Sequence, residues 1–376
     1  VASGGMTMTV VDHTGRSVVA ELRSGTRRIG RISITANVDL DTETTPWLAA
    51  ALPLAMYSDV PLHLNGPVDG TLLRSAPAIT RFLSNWHPGL HEVPVTADSM
   101  PEPRPPAKGV GCFFSGGVDS FYSVLARRSE ITHLVFVHGF DIDIDEHEVA
   151  DRALRANREI AEQLGIQLVE LTTDIRRISD RYTDWGVEYH GAALALVGLL
   201  LAPILGEILI PASWNVDDLR PWGSHPILDP LWSSESVRFV HHGADVRRPR
   251  KVALIAQNPV AMDHLRVCWQ NRDGSYNCGR CEKCVRTILN FRAVGAQGAC
   301  HTLPAEVSTA FLQRMRFDRN SQTHARENLN EMRCLPEPDR ELEAALVKAI
   351  RRGEIYGPIG TVRTRARKML VRIARR

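Results

Sequence analysis

Apolar residues recur along this chain in two rhythms. Short runs rich in Val, Ile and Leu read as strands, and longer stretches with apolar positions three and four apart read as helices. In the first hundred residues Arg31–Val38 reads as a strand and Trp47–Met56 as an apolar helix, capped by Thr45 ahead of Pro46. Val60–Leu64 follows as a strand ending in Asn65-Gly66, then Leu72–Trp86 as a helix and His91–Thr96 as a last strand. Ser99–Lys108, SMPEPRPPAK, breaks the rhythm. Its prolines at 101, 103, 105 and 106 favour extended polyproline geometry and cannot join a helix or a central strand. A domain boundary is expected there.

Beyond the prolines strand and helix alternate. Val110–Phe114, Thr132–Val137, Ile166–Leu171 and Glu207–Pro211 read as strands. Val118–Arg127, Glu146–Leu164 and the stretch around Ala192–Leu205 read as helices between them; Val149, Ala153, Ala156, Ile160 and Leu164 mark one side of the second. Strands separated by helices of this length imply crossover connections, hence a parallel sheet with helices on both faces. Ligands of such sheets bind at the carboxyl ends of the strands.

Composition narrows the class. With 44% hydrophobic and 23% charged residues, an ordinary core can form without disulfide support. The apolar run Ala192–Leu205 is too short for a bilayer and holds Pro203 near its end, so it is expected to be a buried helix. No membrane partner is expected, and the lack of an export-type leader points to a cytoplasmic location. The formal charge of +2 hides a basic tail: from Lys348 to Arg376 ten Lys or Arg stand against Glu354 alone. Such a tail suits RNA or an acidic partner, or else a solvated helix with Met369, Leu370 and Ile373 inward. The scarcity of aromatic residues there, Tyr356 excepted, favours the second, so nucleic acid is an open but disfavoured partner.

Ser115-Gly116-Gly117-Val118-Asp119-Ser120 falls between an expected strand and an expected helix. Two glycines let the backbone turn tightly and approach a phosphate closely. The helix that follows offers unpaired amides and the positive end of its dipole, and Ser115 and Ser120 can add hydroxyl donors. The G-x-x-x-x-G-K-[ST] pattern of loops that hold a transferred γ-phosphate is not present. His138 ends the second strand of the set and Asn215 and Asp217 follow a later one, all on the same expected rim; polar loop residues with no ligand role are the alternative.

Four of the seven cysteines fall close together, as Cys268-x9-Cys278-x2-Cys281-x2-Cys284. Two-residue gaps let successive sulfurs curl round one ion, and the distant cysteine closes a tetrahedral shell. Gly279 suits the knuckle, and Lys283 and Arg286 can offset thiolate charge. A structural zinc is expected, with an iron–sulfur cluster as the alternative. Cys112 reads as a small apolar filler of a core strand.

SGGVDS and the segment Cys268-Trp269-Gln270…Asn277-Cys278-Gly279-Arg280-Cys281-Glu282-Lys283-Cys284 together resemble the PP-loop (N-type) ATP pyrophosphatases, and among them the 7-cyano-7-deazaguanine synthases. The resemblance covers roughly Val110–Val294. It implies an α/β, Rossmann-like (HUP/PP-loop) parallel sheet with helices on both faces and a C-terminal zinc knuckle, to which this chain adds a small α+β domain in front. The implied organisation is 1–98 as that N-terminal domain, 99–108 as a linker, 109–260 as the ATP-binding domain, 261–300 as the four-cysteine segment and 301–376 as a helical region with the basic tail. The implied cofactors are ATP, magnesium and zinc. In that branch the loop holds the β,γ-pyrophosphate while a carboxylate attacks the α-phosphorus, and ammonia then displaces AMP. Carried to this chain, Ser115, Gly116, Gly117, Val118, Asp119 and Ser120 would bind phosphate, Asp119 ordering the loop or its magnesium. His138, Asn215 and Asp217 would complete the nucleotide site.

This chain departs from the family pattern at two places that would shape the substrate pocket. His190-Gly191 stands where an arginine-asparagine pair is expected, and Trp222-Gly223-Ser224-His225-Pro226…Asp229 replaces a Tyr-Pro-Asp element. His225, His190 and Asp229 are therefore candidates for handling an altered substrate, with Asp119, Ser115 and His225 the catalytic candidates. The leading expectation is an AMP- and pyrophosphate-forming ligase acting on a small-molecule carboxylate with ammonia or another amine, with a homodimer open. The alternatives are a tRNA-modifying enzyme of thiolase or lysidine type, the thiolase needing Cys300 or Cys334 as its reactive thiol, and a nucleotide-binding partner without catalysis.

Overall fold

The computed structural model describes residues 4–99, 102, 104–270 and 274–355. Ten strands pair into one sheet: β1 (Met6–Thr14), β2 (Ser17–Ser24), β3 (Arg27–Ala36), β4 (Leu62–Pro67), β5 (Val95–Ser99), β6 (Gly109–Phe113), β7 (His133–His138), β8 (Gln167–Thr173), β9 (Leu205–Pro211) and β10 (Arg238–His242). Their order is β10-β9-β6-β7-β8-β3-β2-β1-β4-β5. From β10 to β8 every pair is parallel. β3 then joins β8 antiparallel, with Ile34 opposite Thr173 and Ala36 opposite Leu171. The β1–β2 and β2–β3 pairs are antiparallel, and β1–β4 and β4–β5 are parallel. The fold is thus α/β, on a mostly parallel sheet flanked by helices.

The proline-rich stretch does not end this sheet: β5 precedes it and β6 follows it within the same ten strands. Residues 1–98 were expected as a module of their own, yet β3 covers what would be the open edge of β8. Asn37 reinforces the seam, donating to the Leu168 carbonyl at 3.0 Å and accepting from the Glu170 amide at 2.9 Å. An uncovered strand edge presents unpaired amides and carbonyls, and pairing with β3 removes that liability. β1, β2 and β10 have no counterpart in the pattern reading, although Val18, Ala20 and Leu22 alternate inward along β2 as a half-buried strand requires.

Two compact units are present. The first holds the described residues up to Ser115, Ala126–Ser213 and Leu219–Ala244. Its core lies between the sheet and α1 (Thr45–Ser58), with α2 (Gly70–Trp86), α5 (Arg176–Tyr182) and α6 (His190–Leu200) contributing to it. α1 is apolar around its whole circumference, so it can only be buried. It packs against α6, which is apolar for the same reason, and the Tyr189 hydroxyl donates to the Ala50 carbonyl at 2.7 Å. Thr45 is the first residue of α1 and Thr44 its cap, because the Thr45 hydroxyl accepts the amide of Asp69 at 2.9 Å. Asp69 in turn caps α2 through the amide of Leu72. The amphipathic α4 (His147–Leu164) covers the opposite face of the sheet, setting Ala150 and Ala153 on Phe136 and Ile142. Val135 and Phe136, adjacent on β7, belong to these two cores as strand alternation requires.

Gly116–Leu125, Trp214–Asp218 and the described residues from Asp245 onward form the second unit. It contains α3 (Val118–Ala126), α7 (Arg248–Ile255), α8 (Pro259–His264), α9 (Glu282–Ala293), α10 (Thr309–Leu312), α11 (Arg319–Arg333) and α12 (340–355). Val285, Leu289, Leu312, Phe317, Leu329, Met332 and Leu346 make its apolar centre. The expected basic tail beyond residue 355 lies outside the described residues. Among the described residues no helix is long and apolar enough to cross a membrane.

Candidate functional site

β6 stands between β7 and β9, and the chain leaves its carboxyl end at Phe113 to enter α3 at Val118. Ser115 is exposed on that connection. Gly116 takes φ +75°, a conformation that a side chain disfavours, and its carbonyl is fixed by the Arg266 amide at 2.8 Å. The first bond of the helix start runs from the Phe121 amide to the Gly117 carbonyl at 2.9 Å. The amides of Val118, Asp119 and Ser120 precede it and have no partner within the helix, as at any helix start. The Ser120 side chain departs from expectation: it is buried and its hydroxyl donates back to the Gly117 carbonyl at 3.0 Å, so it closes the turn.

Asp119 is the best-anchored member of the motif. Its Oδ2 accepts from Arg248 Nη1 at 2.9 Å and its Oδ1 from Lys251 Nζ at 3.0 Å. Both cations are buried and both lie on α7, where Pro249 sets the first turn. Arg248 also reaches Asn290 at 3.2 Å and Thr287 at 3.4 Å on α9. Burial works against charge on Asp119, but the attraction of Lys251 and Arg248 overrides it and holds the carboxyl well below the ordinary carboxylate range. With both oxygens facing cations, a magnesium ion at Asp119 would meet two positive charges. Of the two roles expected for this residue, ordering the loop fits the arrangement and holding magnesium does not.

Following β9 in sequence, Trp214 to Asp218 form a second part of this unit. Asn215 donates to Asp218 at 2.9 Å and accepts the Asp217 amide at 2.9 Å, a local turn that fixes the Asp218 carboxylate. Arg247, next to Arg248, pairs with Asp217 at 2.7 Å. The Trp214 ring stacks on His324 of α11 with centroids 4.9 Å apart and planes 12° from parallel. His324 Nδ1 lies 3.9 Å from Glu327 Oε2, and Glu327 Oε1 is shut from solvent with no hydrogen-bond partner. Burial, the first cause, pushes the Glu327 carboxyl up to about 7, with Arg248 and Arg247 opposing and Asp218 and Glu331 adding.

The remaining candidates lie in the first unit. His138 closes β7, and its Nε2 lies 3.0 Å from the Asp143 carbonyl. His190 and Trp222, the two points of departure from the family pattern, come together, with ring centroids 6.2 Å apart. Beneath them Gly191 packs on Gly223 so closely that a Cβ would lie 1.8 Å from the Gly223 carbonyl oxygen. Asp229 is 0% exposed and accepts from Ser224 at 2.7 Å and from the His225 amide at 3.1 Å. It also lies 2.6 Å from His241 Nδ1 on β10. His225 packs against Trp86 with ring centroids 4.8 Å apart and planes tilted by 56°, and its Nδ1 accepts the Ile227 amide at 3.2 Å, so the ring is committed to the loop on that side. Burial holds both His225 and His190 below the ordinary imidazole range.

Cys268, Cys278, Cys281 and Cys284 converge, their sulfurs all within 4.8 Å of one another. The Cys278–Cys284 and Cys268–Cys281 separations are 4.0 and 3.9 Å. Four sulfurs about 2.3 Å from one zinc ion stand about 3.8 Å apart, so the set fits a tetrahedral metal and is far from disulfide distance. Amides of Cys281 and Cys284 point at sulfurs of Cys278 and Cys281, as in a knuckle around a metal, and Asn277 pins the approaching segment through the amides of Val267 and Cys268. This group could hold a metal ion such as zinc. Cys300 is buried beside Thr302 with its thiol pushed up by burial, and Cys112 is a core residue pushed up likewise.

Arg248, Lys251, Glu327 and His241 are residues that the pattern reading left out. The run Arg247-Arg248-Pro249-Arg250-Lys251, with Pro at a helix start, was the available signal for the first two. Nothing local marks Glu327, one acid among many on an amphipathic helix. No family model matches the chain, no curated protein matches it, and no solved structure matches it.

Proposed function

We propose that this protein is an ATP-dependent ligase that adenylates a small-molecule carboxylate, releases pyrophosphate, and passes the acyl group to ammonia or another amine. The observation that carries the reading is the position of SGGVDS: it leaves the carboxyl end of β6, with β7 on one side and β9 on the other. Numbered from β6, the five parallel strands run 3-2-1-4-5, the order of doubly wound nucleotide-binding folds, and β6 is where the winding reverses. A Rossmann-like sheet of the PP-loop kind accounts for that order and for the glycines together.

In this reading the amides of Val118, Asp119 and Ser120 bind the pyrophosphate end of ATP. Lys251 and Arg248 lock the loop through Asp119 and lend positive potential to the anion. Magnesium would arrive on the triphosphate and would offset charge on the leaving pyrophosphate. The four cysteines would hold zinc as a structural element. The chain departs from the synthase pattern at His190-Gly191 and Trp222–Asp229, and these segments meet in one place with neutral imidazoles and indole rings.

The test is release of pyrophosphate and AMP from ATP in the presence of magnesium, ammonium and a panel of heteroaromatic carboxylic acids that includes a carboxyl-deazapurine. AMP and amide in equal amounts support the ligase. ADP as the nucleotide product overturns it.

A further inference from the structure

We propose that the groove between the end of α11 and the outer face of α12 binds the phosphate backbone of a nucleic acid without reading its bases. The groove lies wholly within the second unit and has a volume of 460 Å³. Arg333 of α11 and Arg340, Lys348 and Arg351 of α12 line it, all four exposed, with Glu343 as the one acid among them. Positions 340, 344, 348 and 351 fall on one face of a helix, and Arg340 to Arg351 spans about 16 Å along its axis. The cations of α12 therefore stand in a row rather than round a point. A string of phosphates needs that arrangement; a single small anion does not.

Most of this charge is uncommitted. Glu343 is 7% exposed and holds two of the cations, its Oε2 lying 3.4 Å from Arg333 and 3.5 Å from Arg340. One carboxylate between two guanidinium groups positions both and leaves a positive charge in surplus. Lys348 Nζ donates to a neutral partner, Gln313, at 3.3 Å, and Arg351 has no ion pair among the described residues. Glu354, one turn beyond, pairs with Arg326 of α11.

Other partners of a basic surface fit less well. Leu342, Ala345, Leu346, Ala349 and Ile350, on the opposite face of α12, are buried in the apolar centre of the unit. α12 thus has no free apolar face to lay into a bilayer. None of the residues that line the groove is aromatic, which argues against stacking on bases and leaves contact with phosphate and sugar. Past Arg351 the sequence adds eight more Lys or Arg against Glu354 alone. A cationic stretch of that length matches a polymer with a charge on every unit better than an acidic loop of a protein. Phosphate binding here is independent of the ligase reading.

The test is fluorescence anisotropy of labelled mixed-sequence oligonucleotides of about 20 nucleotides, single-stranded RNA and duplex DNA, with the full-length protein between about 50 and 200 mM salt. Lys348→Gln with Arg351→Gln is expected to weaken binding about 10-fold. The slope of log affinity on log salt should flatten by about 1.4 for the RNA or about 1.8 for the duplex, two phosphate contacts fewer. A control that removes two exposed cations of the first unit, Arg27→Gln with Arg155→Gln, should bind as wild type does. That loss, confined to the groove variant and seen with either nucleic acid, supports the site. Equal affinity and slope in the groove variant and wild type would place the contact elsewhere on the chain and overturn it. An equal loss in the control overturns it too. So does a wild type that binds neither oligonucleotide, whether or not it binds phosphatidylserine vesicles or polyglutamate. Should the double variant fold poorly, Arg340→Gln repeats the test at a side chain 79% exposed: a slope flattened by about 0.7 to 0.9 supports the site, and an unchanged slope overturns it.

Discussion

Arg248 Nη1 lies 2.9 Å from Asp119 Oδ2, although 129 residues separate the two in sequence. This pair ties the glycine loop to the start of α7, and Lys251 doubles it on the other oxygen at 3.0 Å. Both cations are buried, so the carboxylate is what makes their burial tolerable.

Removing that carboxylate should therefore unfold the second unit more readily. Asp119→Ala is expected to lower stability by about 3 kcal/mol, because two buried charges lose their partner. The native carboxyl sits below its unfolded value, so its contribution is present above the ordinary carboxylate pKa and is lost as the pH falls through the folded one. Urea unfolding between pH 2 and 7 checks this: wild type should lose stability on acidification where Asp119→Asn does not.

The opposite sign applies to Glu327. Its folded carboxyl is raised to about 7, so its contribution is present below the unfolded value and is lost as the pH rises through 7. Glu327→Gln should match wild type near pH 4 and exceed it by about 1–3 kcal/mol at pH 8.5. Thermal melts at the two pH values suffice. A variant less stable than wild type at pH 8.5 would show that the carboxylate is welcome where it stands.

The four sulfurs should carry one metal ion per chain. Native mass spectrometry is expected to find the mass of zinc, lost in Cys284→Ser. Chelation should lower the melting temperature, since a metal bound only by the folded chain stabilises it. A protein free of metal after purification without chelator, and indifferent to added zinc, would refute the assignment.

Gly191 should tolerate no side chain. A Cβ there would meet the Gly223 carbonyl oxygen at 1.8 Å, and both partners are backbone, so neither can swing away. Gly191→Ala is expected to cost at least about 2 kcal/mol by overpacking and to disturb the His190–Trp222 contact. Denaturant unfolding followed by tryptophan emission reads both effects.

Much of the architecture was legible because it is written locally. Val110–Phe114, Thr132–Val137 and Glu146–Leu164 were each expected within about two residues of the observed β6, β7 and α4, since short apolar runs and amphipathic spacing act over one element. The cysteine group was legible for the same reason: three of its four sulfurs lie in one seven-residue knuckle. Where the reading stopped, the missing information was non-local. Pro101 to Pro106 suggested a break between modules, but whether β3 pairs with β8 depends on an edge that no stretch of sequence displays. Ser120 looked like a phosphate donor until the turn itself claimed its hydroxyl.

By itself the sequence determined the glycine turn into α3, the alternation that makes a parallel sheet, and the thiolate spacing, because each follows from backbone geometry over a few residues. Only the tertiary structure decided that Asp119 would face Lys251 and Arg248, that Glu327 would come under the influence of Arg247, Arg248 and Asp218, and that His190 would meet Trp222. Those meetings depend on which apolar faces cover one another, and a side chain's charge environment is set by neighbours that the chain brings from far away.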